Sequence, residues 1–293
     1  MVPPEASRLY QPESFYTWHR RPRSMDSLEA PQTDGSNAFA LVVQGPFVRQ
    51  HSFTLHSLKF YRRLLPESRI ILSTWKGLDF NEKRHLDSLA VELLENRPPE
   101  VPGLGNLNFQ IRSTAAGLER LNGSQVKFVV KLRTDQRIYN PNAFAIMREL
   151  LEVYPRQDNS FRIGAASLNS FLTRPFSLSD MLQFSSLASL SQFWSIPEVS
   201  WDLGELTPEA QGFPEALLVI TFLQGRGWTI GDPDETWRRA IAKEFLIADS
   251  NSLDHFWQKY SKREHLWRRY GTHDAPRELD FGTWLALKAN EGH

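Results

Sequence analysis

Apolar residues along the 293-residue chain fall into two alternating periods. The first is the short unbroken run Phe39-Ala40-Leu41-Val42-Val43, closed by the turn Gln44-Gly45-Pro46. A run this short and uniformly apolar predicts a strand buried on both faces, as in parallel sheets. The second is Leu55, Leu58, Tyr61 and Leu65, spaced three and four apart, which predicts a helix stopped by Pro66. The two periods then repeat. Arg69 to Thr74 reads as a strand, 81 to 90 as a helix, 109 to 121 as a helix capped by Asn108, and Lys127 to Leu132 as a third clear strand. Asn140-Pro141 supplies a cap and a first-turn proline for a helix with Phe144, Met147 and Leu151 on its apolar face. Phe161 to Ala165 is another strand. Residues 90 to 95 (Ala-Val-Glu-Leu-Leu-Glu) fit either a helical continuation or a short strand. Strands alternating with helices predict βαβ units and an α/β fold, a Rossmann-type, mostly parallel sheet flanked by helices.

Outside that pattern the chain changes character. Residues 1 to 36, rich in Pro, Ser and charge, read as an irregular arm with Tyr10 and Trp18 as anchor points. The sheet domain is expected over 37 to 225. Within it, 170 to 212 has many Ser, Leu and Phe residues and no clean period, which suits either a loop closing over a site or irregular packing. A helix from Pro214 to Leu223 ends at Gly225. Residues 226 to 293 read as a helical C-terminal extension packed on the same domain, with Trp237, Phe245, Phe256, Trp257 and Trp267 as its aromatic content.

Composition narrows the chemistry. Lys plus Arg number 34 against 34 Asp plus Glu, so no overall basic excess supports nucleic-acid binding. The absence of cysteine removes disulfides, thiolate metal sites and cysteine nucleophiles, and fits a reducing compartment. No apolar run is long enough to span a bilayer and the N-terminus has no apolar secretory core, so a cytoplasmic protein is expected. There is no Gly-x-Ser-x-Gly elbow, P-loop, strand-linked Gly-x-Gly-x-x-Gly or His-Glu-x-x-His.

Ligands of open parallel sheets bind beyond the carboxyl ends of the strands. Three such ends carry polar groups here: Gln44-Gly45-Pro46, Ser73-Thr74-Trp75 and Arg133-Thr134-Asp135-Gln136. At the third, an Asp suits a divalent cation or a ribose hydroxyl and an Arg suits a phosphate. The same residues also suit a turn in which Asp135 caps and Arg133 pairs with it.

Four blocks in order, Phe39 to Phe47 (FALVVQGPF), Arg69 to Trp75 (RIILSTW), Asn108 to Leu118 (NFQIRSTAAGL) and Lys127 to Asp135 (KFVVKLRTD), resemble the WavE family of lipopolysaccharide-synthesis proteins, related to GT-A-type glycosyltransferases. The resemblance covers about 38 to 225 and implies a GT-A-like fold. It also implies a nucleotide-sugar donor, a lipopolysaccharide or other cell-surface glycan precursor as acceptor, and work on the cytoplasmic side of the inner membrane. It places Gln44, Gly45, Ser73 and Trp75 around base and ribose, Arg112 near base or diphosphate, and Asp135 where such enzymes carry an Asp-x-Asp metal motif. The sequence departs there, because Asp135-Gln136-Arg137 has one carboxylate and a cation in third place. Asp135 with Mg²⁺ or Mn²⁺, and Arg133 or Arg137 without metal, are both open at this point.

An inverting transfer needs a base for the acceptor hydroxyl. Glu215, opening the helix after Gly212-Phe213-Pro214, is one candidate, and it also suits the helix dipole. Asp180, in Leu178-Ser179-Asp180-Met181, is the other, and it also suits an N-cap. The literal Asp232-Pro233-Asp234 reads best as a proline turn and cap before Trp237. His273-Asp274 is a minor metal candidate. The basic, aromatic stretch Lys259 to Tyr270 suits either a solvated amphipathic helix or peripheral contact with anionic lipid. The rival functional readings are a catalytically silent nucleotide-sugar-binding scaffold and a nucleotide-sugar phosphatase.

Overall fold

The computed structural model describes residues 39–199, 213–258 and 278–290. Among them the order is β1 (Phe39–Gln44), α1 (Phe53–Leu64), β2 (Arg69–Trp75), α2 (Phe80–Ser88), β3 (Val91–Asn96), α3 (Leu107–Glu119), β4 (Phe128–Arg133), β5 (Gln136–Ile138), α4 (Ala143–Val153), β6 (Ile163–Ala166), β7 (Gln183–Ser185), α5 (Leu187–Trp194), α6 (Pro214–Gly225), α7 (Pro233–Glu244), β8 (Phe245–Ala248), β9 (His255–Trp257) and α8 (Phe281–Asn290). Seven strands form one sheet in the order β3-β2-β1-β4-β7-β6-β8, and β5 pairs with β9 beside it. Within the large sheet only β7 runs against its neighbours. The fold is α/β with a mostly parallel sheet, and C-terminal helices α7 and α8 complete it.

The most apolar runs take the central positions. β1 and β4, paired along their whole length from Phe39↔Phe128 to Gln44↔Arg133, are buried on both faces apart from the tip of β4. Helices cover both faces. On one, the α4 residue Phe144 meets Tyr61 of α1 edge-on at 6.1 Å and Phe39 at 6.0 Å. On the other, α3 lies on β1 and packs against α5, which in turn packs against α6. α6 is buried along most of its length, as its apolar composition requires.

Several expectations change. Residues 91–96 are a strand, set parallel to β2 from Ile70↔Val91 to Trp75↔Asn96. α2 cannot continue into them, because Ala90 sits at φ 51°. The freed carbonyls of Leu89 and Ala90 both accept from the Arg62 guanidinium, at 2.8 and 2.9 Å. Asn108 is not the cap of α3, since it lies inside the helix and Asn106 holds the cap position. Its amide instead donates to Val101 and Val199 carbonyls at 2.9 and 2.7 Å. α4 starts two residues beyond Pro141, with the Asn140 Oδ1 accepting from Asn142 N–H at 2.9 Å. The region after 226 is not purely helical: β8 forms the sheet edge, and β9 pairs with β5. The arm, residues 1–36, lies outside the described residues.

α3 approaches β1 through Gly117, where a Cβ would lie 2.4 Å from Val42 Cγ1. Gly117→Ala should therefore lower the unfolding free energy, measured by urea titration, by about 1–3 kcal/mol, net of the roughly 1 kcal/mol that alanine adds to a helix. Adding Val42→Ala should recover part of the loss relative to additivity. A single variant as stable as the parent contradicts the close approach.

Candidate functional site at the carboxyl ends of the central strands

Strand alternation decides which side chains meet. Val42 faces α3, as Gly117 shows, so Gln44 two residues on faces it too. Indeed Ser113 of α3 donates to Gln44 Oε1 at 2.8 Å. Lys131 and Arg133 pair with Val42 and Gln44 in register, and Ser73 with Gln44, so all share that face. Trp75, two beyond Ser73, meets Phe109 of α3 edge-on at 4.9 Å, while Asn96 donates to Ser73 Oγ at 2.8 Å. Gln44, Ser73, Trp75 and Arg133 thus line one rim. Gly45 (φ 118°) turns the chain there, and a Cβ on it would lie 2.9 Å from Thr134 Oγ1. Thr134 closes the turn by donating from N–H to Gln44 O at 2.9 Å and from Oγ1 to Pro46 O at 2.7 Å.

Beyond β4 the chain folds its charges together. Arg133 grips Asp135 in bidentate fashion, both contacts 2.9 Å. Trp257 of β9 donates from Nε1 to Asp135 Oδ2 at 2.8 Å, and the Arg133 guanidinium lies 5.3 Å from the Trp257 ring centre. Burial alone would raise the Asp135 carboxyl, but Arg133 and Trp257 outweigh it and hold it below the usual value.

Deeper in, Lys131 is fully buried. Its Nζ donates to the Asp180 carbonyl and stands 4.5 Å from the Trp194 ring centre. Burial pushes this ammonium down to about 7, with Asp180 opposing and Arg133 adding to the fall. The Asp180 side chain belongs to a residue only 4% exposed and makes no hydrogen bond among the described residues. Glu215, in the first turn of α6, is pushed up to about 7, first by burial and then by the Asp180 charge, with Arg174 and Arg133 pulling the other way. Arg174 lies between the rings of Phe171 and Phe213, 4.6 and 4.4 Å from their centres, and Phe213 caps α6. Its Nε and Nη2 both reach Ser177 Oγ, at 3.0 and 2.8 Å. Lys131, Asp180, Glu215 and Arg174 therefore share one electrostatic environment without ion-pairing among themselves, beside an Arg133 that Asp135 already holds. Such a set can hold an anion, accept hydrogen bonds from hydroxyls and carry a proton near neutral pH.

Of the residues singled out from sequence, Arg133, Asp135, Asp180 and Glu215 come together here, and Gln44, Gly45, Ser73 and Trp75 form the adjoining rim. Arg112 stands apart in its bonding. It pairs with Glu198 through two contacts of 2.5 and 2.8 Å and donates to the carbonyls of Arg97 and Pro98 at 3.0 and 2.8 Å, tying two loops together. Lys131 and Arg174 were not singled out. The signal for the first was a lone lysine inside an apolar strand, whereas Arg174 had none beyond its place in an irregular stretch. Asp232 is the N-cap of α7, accepting from Glu235 N–H at 2.9 Å ahead of Pro233. His273-Asp274 and Lys259 to Tyr270 lie outside the described residues. No helix among the described residues is long and apolar enough to cross a membrane.

Asp135 does not fit a divalent ion. Both its oxygens are taken by Arg133 and one also by Trp257, so a metal would have to enter beside a guanidinium. The third position of the tripeptide, Arg137, is buried and points to α1, donating to Ser57 Oγ at 2.8 Å and Phe53 O at 2.9 Å. Among the described residues no three His, Asp or Glu side chains gather as a ligand set.

The fold has distant similarity to solved structures. A 4-diphosphocytidyl-2C-methyl-D-erythritol synthase aligns at TM-score 0.42 and 13% identity over 78% of this chain and 94% of its own. A cytidylyltransferase from Leptospira borgpetersenii aligns at TM-score 0.40 and 11% identity over 87% of this chain and 95% of its own. A glycosyltransferase involved in glycosylation of the PBCV-1 major capsid aligns at 0.38 and 9% identity over 73% and 83%. No curated protein matches the sequence. The family model described as WavE lipopolysaccharide synthesis matches residues 39–203, which spans β1 to β4, the Asp135 turn, Arg174 and Asp180. With more than half of its length matched, this chain belongs to the WavE lipopolysaccharide synthesis family.

Proposed function

We propose that the protein transfers a sugar from a nucleotide-sugar donor to a lipopolysaccharide or other cell-surface glycan precursor at the cytoplasmic face of the membrane. The observation that carries the reading is Glu215, a half-buried carboxyl raised to about 7, with Asp180 and two arginines acting on it beside the carboxyl ends of β1 and β4. Membership of a lipopolysaccharide synthesis family supports the acceptor class.

The chemistry is written for an inverting displacement. The acceptor oxygen bonds to the anomeric carbon as the bond from that carbon to the diphosphate oxygen breaks. Glu215 takes the hydroxyl proton, and the nucleoside diphosphate leaves with the electron pair. A carboxyl raised to about 7 is half in its basic form near neutral pH, the range in which a general base works best. Asp180 lies on the same side, where its free carboxylate can fix a sugar hydroxyl. Trp75, half-exposed at this rim, is the surface against which base or ribose would rest, while the buried Gln44 and Ser73 hold the strand ends beneath it.

The test is release of free nucleotide from a panel of nucleotide sugars, with and without a lipopolysaccharide-core acceptor. One donor should yield nucleoside diphosphate, faster when acceptor is present. A protein that binds donor but releases nothing is a scaffold, and the transferase reading then falls.

A further inference from the structure

The site described above contains a cation that the sequence comparison does not assign and a carboxylate that a metal cannot readily use. We propose that the phosphate charge of the substrate is bound by Arg174, with no divalent cation bridging it to Asp135. The inference rests on the nucleotide-sugar reading above and specifies how that site would meet the donor's charge.

Arg174 has the geometry of a prepared anion site. Its guanidinium is fixed between Phe171 and Phe213, 4.6 and 4.4 Å from the ring centres. Ser177 Oγ takes Nε and Nη2 at 3.0 and 2.8 Å, which sets the direction of the fork. No carboxylate among the described residues pairs with it, and no described group takes Nη1. Burial lowers its affinity for its proton, a sign that holding the charge there has a cost that a bound anion offsets. A flat, oriented guanidinium donates to two phosphate oxygens at once. Its location is equally specific. Phe213 caps α6, so Arg174 stands at the start of the helix that carries Glu215. The following Pro214 packs within 3.1 Å of where a Cβ on Gly105 would lie, which brings the same corner to the loop entering α3.

The alternative, a metal on Asp135, must break an existing arrangement. Arg133 would lose both contacts to Asp135, and Trp257 Nε1 would lose its acceptor. The freed guanidinium would then stand next to the incoming dication. By contrast, an anion on Arg174 displaces no contact among the described residues, and the Asp180 carboxylate, unbonded among them, remains available for a hydroxyl of the same ligand.

The test is calorimetric binding of UDP, GDP, ADP and CDP to the full chain, in excess EDTA and again with Mn²⁺. One diphosphate should bind with a dissociation constant within about twofold in the two conditions. Arg174→Gln should weaken it about 10- to 100-fold, as expected for loss of charge-assisted hydrogen bonds. Arg174→Lys should recover only part, because an ammonium is a point charge. Binding that requires Mn²⁺ and vanishes in EDTA overturns the inference and leaves the donor reading standing. Unchanged affinity in a folded Arg174→Gln overturns it as well. If no nucleoside diphosphate binds in either condition, the donor reading fails and this inference with it. The EDTA comparison uses the unaltered protein, so it decides the metal question even if the Arg174 variants do not fold.

Discussion

Glu215→Gln is expected to lower kcat by about 10²- to 10⁴-fold, the usual contribution of a positioned general base. Affinity for the nucleoside diphosphate should change little, because the amide keeps the shape and removes only the proton acceptor. The pH dependence gives an independent reading. The base is active when ionised, so the parent's kcat should climb with pH and level off above about 7, where burial and the Asp180 charge have set the carboxyl. The Gln variant should lack that limb. Stability must move the opposite way. A carboxyl raised in the folded state holds its proton while the unfolded chain has ionised, so its stabilisation is full below the ordinary glutamate value and disappears as pH rises through about 7. Relative to Glu215→Gln, the parent should therefore lose stability across the interval in which it gains activity. A Gln variant with parental kcat and an unchanged pH profile removes Glu215 from the chemistry and moves the role to Asp180, where Asp180→Asn is the corresponding test.

What was legible in the sequence follows from how each element is buried. β1 and β4 lie at the middle of the sheet with helices on both faces, so nearly every position ahead of the strand tips is apolar, Lys131 excepted, and the runs announced themselves. β3 is an edge strand half-buried along nearly its whole length, and its Val-Glu-Leu-Leu-Glu pattern served two periods equally; pairing with β2 decided between them. β8 follows α7 with no intervening residue, Glu244 ending the helix and Phe245 starting the strand. No turn residue marks that change, and only the place beside β6 makes it a strand. β7 is three residues long, and its Phe184 fits because Gly164 opposite has no side chain, a pairing invisible before the two meet. The site divides in the same manner. Arg133 and Asp135 follow a strand and were readable as strand-end chemistry. Glu215 was readable as a first-turn carboxylate, but its partial burial and its nearness to the Asp180 charge depend on the start of α6 meeting Arg174 through Phe213. Arg174 acquires its meaning only from two phenylalanines, one adjacent in the loop and one 39 positions on, which no local pattern connects. Arg112 shows the converse. Its position in a recognisable block suggested ligand binding, yet its donors are spent on Glu198 and two loop carbonyls.

Asp135→Asn should cost the fold about 2–4 kcal/mol near neutral pH, because the substitution removes the charge that satisfies Arg133 in a partly buried setting. The two side chains are 26% and 20% exposed, which keeps the figure below that of a fully enclosed pair. For a chain of this size the melting temperature should fall by roughly 4–15 °C. Trp257→Phe, which removes one hydrogen bond from the same carboxylate and leaves the charge in place, should cost about 1 kcal/mol. The pH dependence follows from the sign of the Asp135 shift. Its folded-state value lies below 3.8, so the stabilisation is present above the ordinary aspartate range and is lost as pH falls through the depressed value. The gap between parent and Asp135→Asn should accordingly be constant from about pH 5 upward and close in acid, where protonation makes the parent resemble the variant. Chemical unfolding across that range measures it directly. If Asp135 instead serves as a metal ligand held apart from Arg133, neutralising it would relieve a buried negative charge in the metal-free protein. Asp135→Asn would then be as stable as the parent or more so in EDTA. A fall in stability that closes in acid ties the carboxylate to Arg133 and Trp257, and with them the strand end of β4 to β9.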